Sequence, residues 1–147
     1  MDAKELNRIL NRGLVHKATI DPSTFENLVP KFKEYAADKE IQEKVHGNKS
    51  NEYIDITYQS FGYGLDDLTI KLFIRYLVLK GEIFGFSQTR DPNAFRIELN
   101  DPGTRKRNVN GFNSQIIRAE ELISLDNFMK QHELPLLTDY DSTQQKI

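Results

Sequence analysis

The longest apolar pattern in the chain runs from Leu65 to Leu79, LDDLTIKLFIRYLVL. Leu65, Leu68, Leu72, Tyr76 and Leu79 fall on one helical stripe, and Ile70, Phe73, Ile74, Leu77 and Val78 make the helix apolar almost all round. Only a narrow strip with Asp67, Lys71 and Arg75 is left for solvent. A helix of this kind is covered on two sides, so the pattern predicts the central helix of the core. Asp66 and Asp67 stand in its first turn, where the helix dipole favours acids.

Period-two patterns lie on both sides of this helix. Tyr53 to Tyr58 alternates, with Ile54, Ile56 and Tyr58 on one face and Tyr53, Asp55 and Thr57 on the other. After the helix, the run with Ile83, Phe84 and Phe86 and the run with Phe95, Ile97 and Leu99 flank Arg90-Asp91-Pro92-Asn93, good type I turn chemistry, and predict a hairpin. Leu14 to Ile20 and Ser114 to Ile123 read as two further strands. Residues 3–12 read as a short amphipathic helix stopped by Gly13. Asp21-Pro22 is a helix start, with Asp at the cap and Pro at the first helical position. Phe25, Leu28, Val29, Phe32, Tyr35 and Ala36 then follow at helical spacing. Pro30 interrupts that run and predicts a kink or a junction of two helices. Residues 38–46 read as a polar helix, and Ser124 as the cap of a last short helix with Leu125, Phe128 and Met129.

The expected fold class is α+β: a single domain over residues 1–137, with a mainly antiparallel sheet of about five strands, a central buried helix and flanking helices. A polar tail occupies 138–147. A chain of 147 residues suits one domain and buries enough surface to be stable without a metal or disulfide. The chain has no cysteine, which removes disulfide scaffolds, thiol catalysis, Fe–S clusters and Cys-type zinc sites. The net charge of −2, with 29% charged residues, gives no global drive towards nucleic acid or an anionic membrane. The charged MDAKELNRILNRG start does not resemble a secretory signal, and the longest apolar run is broken by Lys71, Arg75 and Lys80. These features set the expectation of a cytoplasmic protein that does not span a membrane.

Sites are harder to read. Arg105-Lys106-Arg107 is the densest basic run, and with Arg90, Arg96 and Arg118 it makes a candidate patch for nucleic acid or another anion. A winged-helix arrangement fits poorly, because residues 65–79 lack the exposed polar face that a recognition helix needs. Asp55 and Glu98 lie on strands and could converge as the acid pair of a metal-dependent nuclease or hydrolase, but the lysine expected two residues after the second acid is Asn100. The three histidines, His16, His46 and His132, have no metal-ligand spacing. No nucleophile elbow, Walker motif or dinucleotide fingerprint is present. Tyr58, Phe61 and Tyr63, around a glycine-bearing loop, are candidate anchors for a protein partner. The leading expectation is therefore a small non-enzymatic domain that binds another protein, as an inhibitor, immunity or adaptor protein, and that uses no cofactor and no metal. Nucleic-acid binding through the basic 101–118 region is the first alternative, and a nuclease or hydrolase using Asp55 and Glu98 the second.

Overall fold

The computed structural model describes residues 2–38, 40, 53–57, 64–88, 93–101 and 117–133. Four helices and three strands occur among them: α1 (Ala3–Leu10), α2 (Pro22–Ala37), β1 (Tyr53–Thr57), α3 (Asp67–Leu79), β2 (Gly85–Gln88), β3 (Ala94–Glu98) and α4 (Ala119–Gln131). The architecture is α+β. The sheet is antiparallel throughout, in the order β1-β3-β2.

The central-helix expectation holds. In α3, Leu72, Phe73 and Leu77 are fully buried and Ile70, Ile74 and Val78 nearly so. Asp66 caps it, accepting a hydrogen bond from the Thr69 N–H at 2.7 Å. The Thr69 hydroxyl first, and that backbone bond second, hold the Asp66 carboxyl below its ordinary range. The helix ends in a Schellman motif. Glu82 N–H donates to Leu77 C=O at 2.9 Å and Gly81 N–H to Val78 C=O at 3.0 Å, with Gly81 at φ +76°. Ile54 and Ile56 of β1 and Phe95 and Ile97 of β3 are buried with α3 in one apolar cluster, as the alternation in each strand requires.

Arg75 does not lie in a solvated strip. It is 4% exposed, and its Nη1 donates to the backbone carbonyls of Leu10 at 3.0 Å and Arg12 at 2.7 Å. Those carbonyls belong to the end of α1 and the turn after it, where the helix offers no internal donors. The guanidinium supplies them from the neighbouring helix, which is why a charge is tolerated inside.

The segment 14–20 is not a strand. Its backbone bonds are taken by two asparagines one turn apart on α1. Asn7 accepts from Ile20 N–H at 2.7 Å and donates to Ile20 C=O at 3.1 Å. Asn11 accepts from Ala18 N–H at 3.0 Å and donates to Ala18 C=O at 2.8 Å. The side-chain amides thus act as a two-rung ladder and replace a neighbouring strand. Around Pro30 there is one helix, not two: α2 is continuous from Pro22 to Ala37 with Pro30 inside. The Asp21 cap is present, accepting from Ser23 N–H at 3.1 Å.

The sheet contains three strands among the described residues, not five. Ser114 to Ile123 is not a strand where it is described. Ile117 alone forms an isolated bridge with Phe86, and helix begins at Ala119. Ser124 is accordingly inside α4 and does not cap it. The β2–β3 hairpin is present, with Phe86 opposite Ile97. Its turn residues 89–92, most of the 38–46 segment and the 138–147 tail lie outside the described residues.

Helix α4 is tied to α1 by charge. Arg8 Nη1 donates to both oxygens of Asp126 at 2.6 Å, and its Nη2 bonds Glu5. Asp126 is 2% exposed, so this pair is a clamp between two helices and not a surface decoration.

Candidate functional site

Strand alternation sends one face of the sheet to α3 and gathers polar side chains on the other. Asp55 stands opposite Arg96, and Tyr53 opposite Glu98. From β2, Ser87 stands opposite Arg96 and Gly85 opposite Glu98. The carboxylates of Asp55 and Glu98 therefore share a face on adjacent strands, in a diagonal relation.

Their neighbours determine what they can do. Arg96 Nε and Nη2 bind the two oxygens of Asp55 at 2.6 and 2.8 Å, a bidentate fork. The Arg96 guanidinium also lies 3.9 Å from the centre of the Tyr53 ring. Arg96 is 8% exposed, Ser87 3% and Glu98 not exposed at all. This polar face is thus largely enclosed, and both Asp55 oxygens are held by an arginine. No group of three or more metal-ligating His, Asp or Glu residues occurs among the described residues.

The sequence candidates divide as follows. Arg96 is in the enclosed cluster with Asp55. Arg118 is at the N-cap position of α4, some distance along the chain from that pair, with its guanidinium 4.8 Å from the Phe84 ring centre. Arg90, Arg105, Lys106 and Arg107 lie outside the described residues, as do Tyr58, Phe61 and Tyr63. Of the six basic candidates, then, the two that are placed do not share one surface cluster.

Arg118 borders a cavity of about 380 Å³ between three elements. The Schellman turn and β2 approach contribute Gly81, Ile83 and Phe84; the segment after β3 contributes Leu99, Asn100 and Asp101; the first turn of α4 contributes Ala119 and Glu120. The wall is mixed, apolar from Val78, Ile83, Phe84 and Leu99 and polar from Asn100, Asp101, Arg118 and Glu120.

On its outward side, α4 carries two of the three large apolar residues that are exposed among the described residues, Ile123 and Phe128; the third is Val15. Phe128 is 50% exposed, and its ring lies 4.6 Å from that of His132, which is also exposed. At about 100° per residue the two apolar side chains stand roughly 140° apart around the helix axis. They form the shoulders of an exposed arc whose middle holds Ser124, Asn127 and Gln131. The sequence pattern did not single out this surface. Reading Ser114–Ile123 as a strand breaks the helical wheel on which Leu122, Asp126 and Met129 define the inner stripe and Ile123 and Phe128 fall outside it.

Comparison of the chain with protein-family models, with curated proteins and with solved structures gives no match. No described helix is long and apolar enough to cross a membrane.

Proposed function

We propose that this protein is a small macromolecule-binding domain that acts by docking on another protein, in the manner of an inhibitor, immunity or adaptor protein, and that α4 supplies the docking surface. The observation that carries this reading is Phe128, a half-exposed aromatic on the outer arc of a helix whose inner stripe is fully occupied. An aromatic side chain flanked by small polar residues is a common interface anchor, since it fills a cleft on the partner while the polar rim keeps water out. The partner that fits is a folded protein offering an apolar cleft bordered by hydrogen-bonding groups, matching Ser124, Asn127 and Gln131.

The two alternatives draw less support. Of the basic candidates for a nucleic-acid surface, Arg96 is enclosed and engaged with Asp55, and residues 102–116 of the basic 101–118 region lie outside the described residues. A hydrolytic centre needs a carboxylate free to bind metal or activate water, whereas the Asp55 oxygens are both held by Arg96.

The test is affinity capture from the native host with the wild-type chain and with Phe128→Asp, followed by identification of retained protein by mass spectrometry. A protein retained by the wild type and lost with Phe128→Asp, at unchanged unfolding midpoint, supports the reading. Equal retention by both chains, or retention of nucleic acid alone, overturns it.

A further inference from the structure

We infer that the cavity at the amino end of α4 binds a small organic anion, its acidic head held by Arg118 and its apolar body by Ile83, Phe84, Val78 and Leu99. This site is independent of the docking surface. Phe128 lies ten residues further along α4, roughly 15 Å at a rise of about 1.5 Å per residue.

Three observations converge. First, the cavity has a volume of about 380 Å³, the size of a small-ligand site, and its lining combines apolar side chains with Asn100, Asp101, Arg118 and Glu120. Second, the Arg118 guanidinium has an aromatic support and no acceptor among the described residues. It lies over Phe84, its Nε is buried without a hydrogen-bond partner, and no carboxylate or carbonyl of the described residues receives its other nitrogens. The difference lies in the terminal nitrogens: Arg75 donates from Nη1 to two carbonyls, and Arg96 forks onto the Asp55 carboxylate from Nε and Nη2. The accessible donors are its Nη groups, and an incoming carboxylate or phosphate oxygen can accept from them. Third, α4 has no side-chain cap, since an arginine occupies the N-cap position and cannot accept a hydrogen bond. The first helical bond is made by Leu122 N–H to Arg118 C=O, so the N–H groups of Ala119 and Glu120, two residues that line the cavity, have no partner within the helix.

The rim defines the class of anion. Asp101 and Glu120 both border the cavity and both are exposed. They repel an extended phosphate backbone, while a compact molecule with one acidic head can sit against Arg118 with its apolar part inward. The ligand is therefore a small carboxylate or phosphate monoester with an aromatic or aliphatic body, and not a nucleic acid.

The experiment is an amide NMR titration of the full, ¹⁵N-labelled chain with benzoate and with phenyl phosphate, which separates a carboxylate head from a phosphate head, and with benzyl alcohol as the neutral control. The expected result is saturable shifts at residues 81–84, 99–101 and 117–121 with at least one of the anions and none with the alcohol. Arg118→Met keeps the apolar stem over Phe84 and weakens binding by about tenfold or more, the loss of a charge-assisted hydrogen bond. Glu120→Gln strengthens it a few-fold by removing a like charge. The inference is overturned if no saturable shifts occur with either anion, if they map away from these three segments, if a folded Arg118→Met chain binds as tightly as the wild type, or if a short oligonucleotide binds there more tightly than phenyl phosphate. Should Arg118→Met not fold, the location of the wild-type shifts decides alone.

Discussion

Replacing Arg75 tests whether a charge inside the core is a structural device. The Arg75→Met variant keeps an apolar stem of similar length and removes the guanidinium, leaving the carbonyls of Leu10 and Arg12 without the donor that now lies 3.0 and 2.7 Å away. A hydrogen bond from a charged donor contributes about 1.5–3 kcal/mol, and two of them set an upper bound of about 6 kcal/mol. Removing the desolvated charge itself offsets part of that loss, since a buried ion is expensive to keep. The expected net cost is about 3 kcal/mol, which is large against a typical domain stability of about 5–15 kcal/mol. Arg75→Ala should cost more, because the packed stem is lost as well. Urea unfolding followed by far-ultraviolet circular dichroism is the assay. With a slope of about 1–3 kcal/mol per molar urea, the Met variant should shift the midpoint down by roughly 1–3 M at unchanged slope. A shift equivalent to less than about 0.5 kcal/mol would mean that the guanidinium sits in solvent, and the account of how α3 closes the end of α1 would be wrong.

Other outcomes follow from the same packing. Leu77→Ala, at a position with no exposure in the last turn of α3, should cost about 2–5 kcal/mol by calorimetry or urea unfolding; a loss under about 1 kcal/mol would show that the helix is not enclosed. Arg8→Ala leaves Asp126 buried without its cation and should cost about 3 kcal/mol, whereas Arg8→Ala combined with Asp126→Ala should recover part of it, the signature of coupling in a double-mutant cycle. Burial, together with a hydrogen bond to the Glu26 carboxylate, pushes the Tyr76 hydroxyl up to about 12 from its ordinary 10.0. Because the folded state holds this proton more tightly than the unfolded state, its contribution is complete below pH 10 and disappears as the pH rises towards 12. Stability should therefore fall by roughly 2–3 kcal/mol across that window, and Tyr76→Phe should flatten the fall; an unchanged alkaline slope in Tyr76→Phe would place its origin elsewhere.

The features legible from the sequence were those set by period and by local chemistry. The all-round apolar pattern of 65–79, the Asp21-Pro22 start and the alternation of 53–57 each encode their own environment, so helix, cap and inward face follow directly. What was not legible depends on partners far away in sequence. Nothing local marks Asn7 and Asn11 as a substitute strand edge for Ala18 and Ile20, because the rungs join side chain to backbone across 7 to 13 residues. Arg75 reads as solvated because its acceptors are carbonyls 63 and 65 positions earlier, and no side-chain pattern reports a helix terminus waiting for a donor. Ile116, Ile117 and the apolar residues that follow read as a strand because a single bridge and a helix entry share the same apolar density.

The candidate site was legible only as residue types. Asp55 and Glu98 do share a sheet face, as strand parity requires, but the arginine two residues before Glu98 closes on Asp55, and only the register reveals that pairing. Arg118 was picked out as one member of a basic patch, whereas its setting depends on Phe84 and on the start of α4, both placed by tertiary structure. The exposure of Phe128 depends in turn on where that helix begins.

Hydrogen exchange on the complex with the captured partner addresses the docking claim most directly. The account predicts that amides of 119–131, together with no segment of the β1–β3 pair, gain protection on binding, and that the gain disappears with Phe128→Asp. Protection centred on residues 53–57 and 94–98, with α4 exchanging as in the free protein, would contradict it and return the polar face of the sheet to the centre of the function.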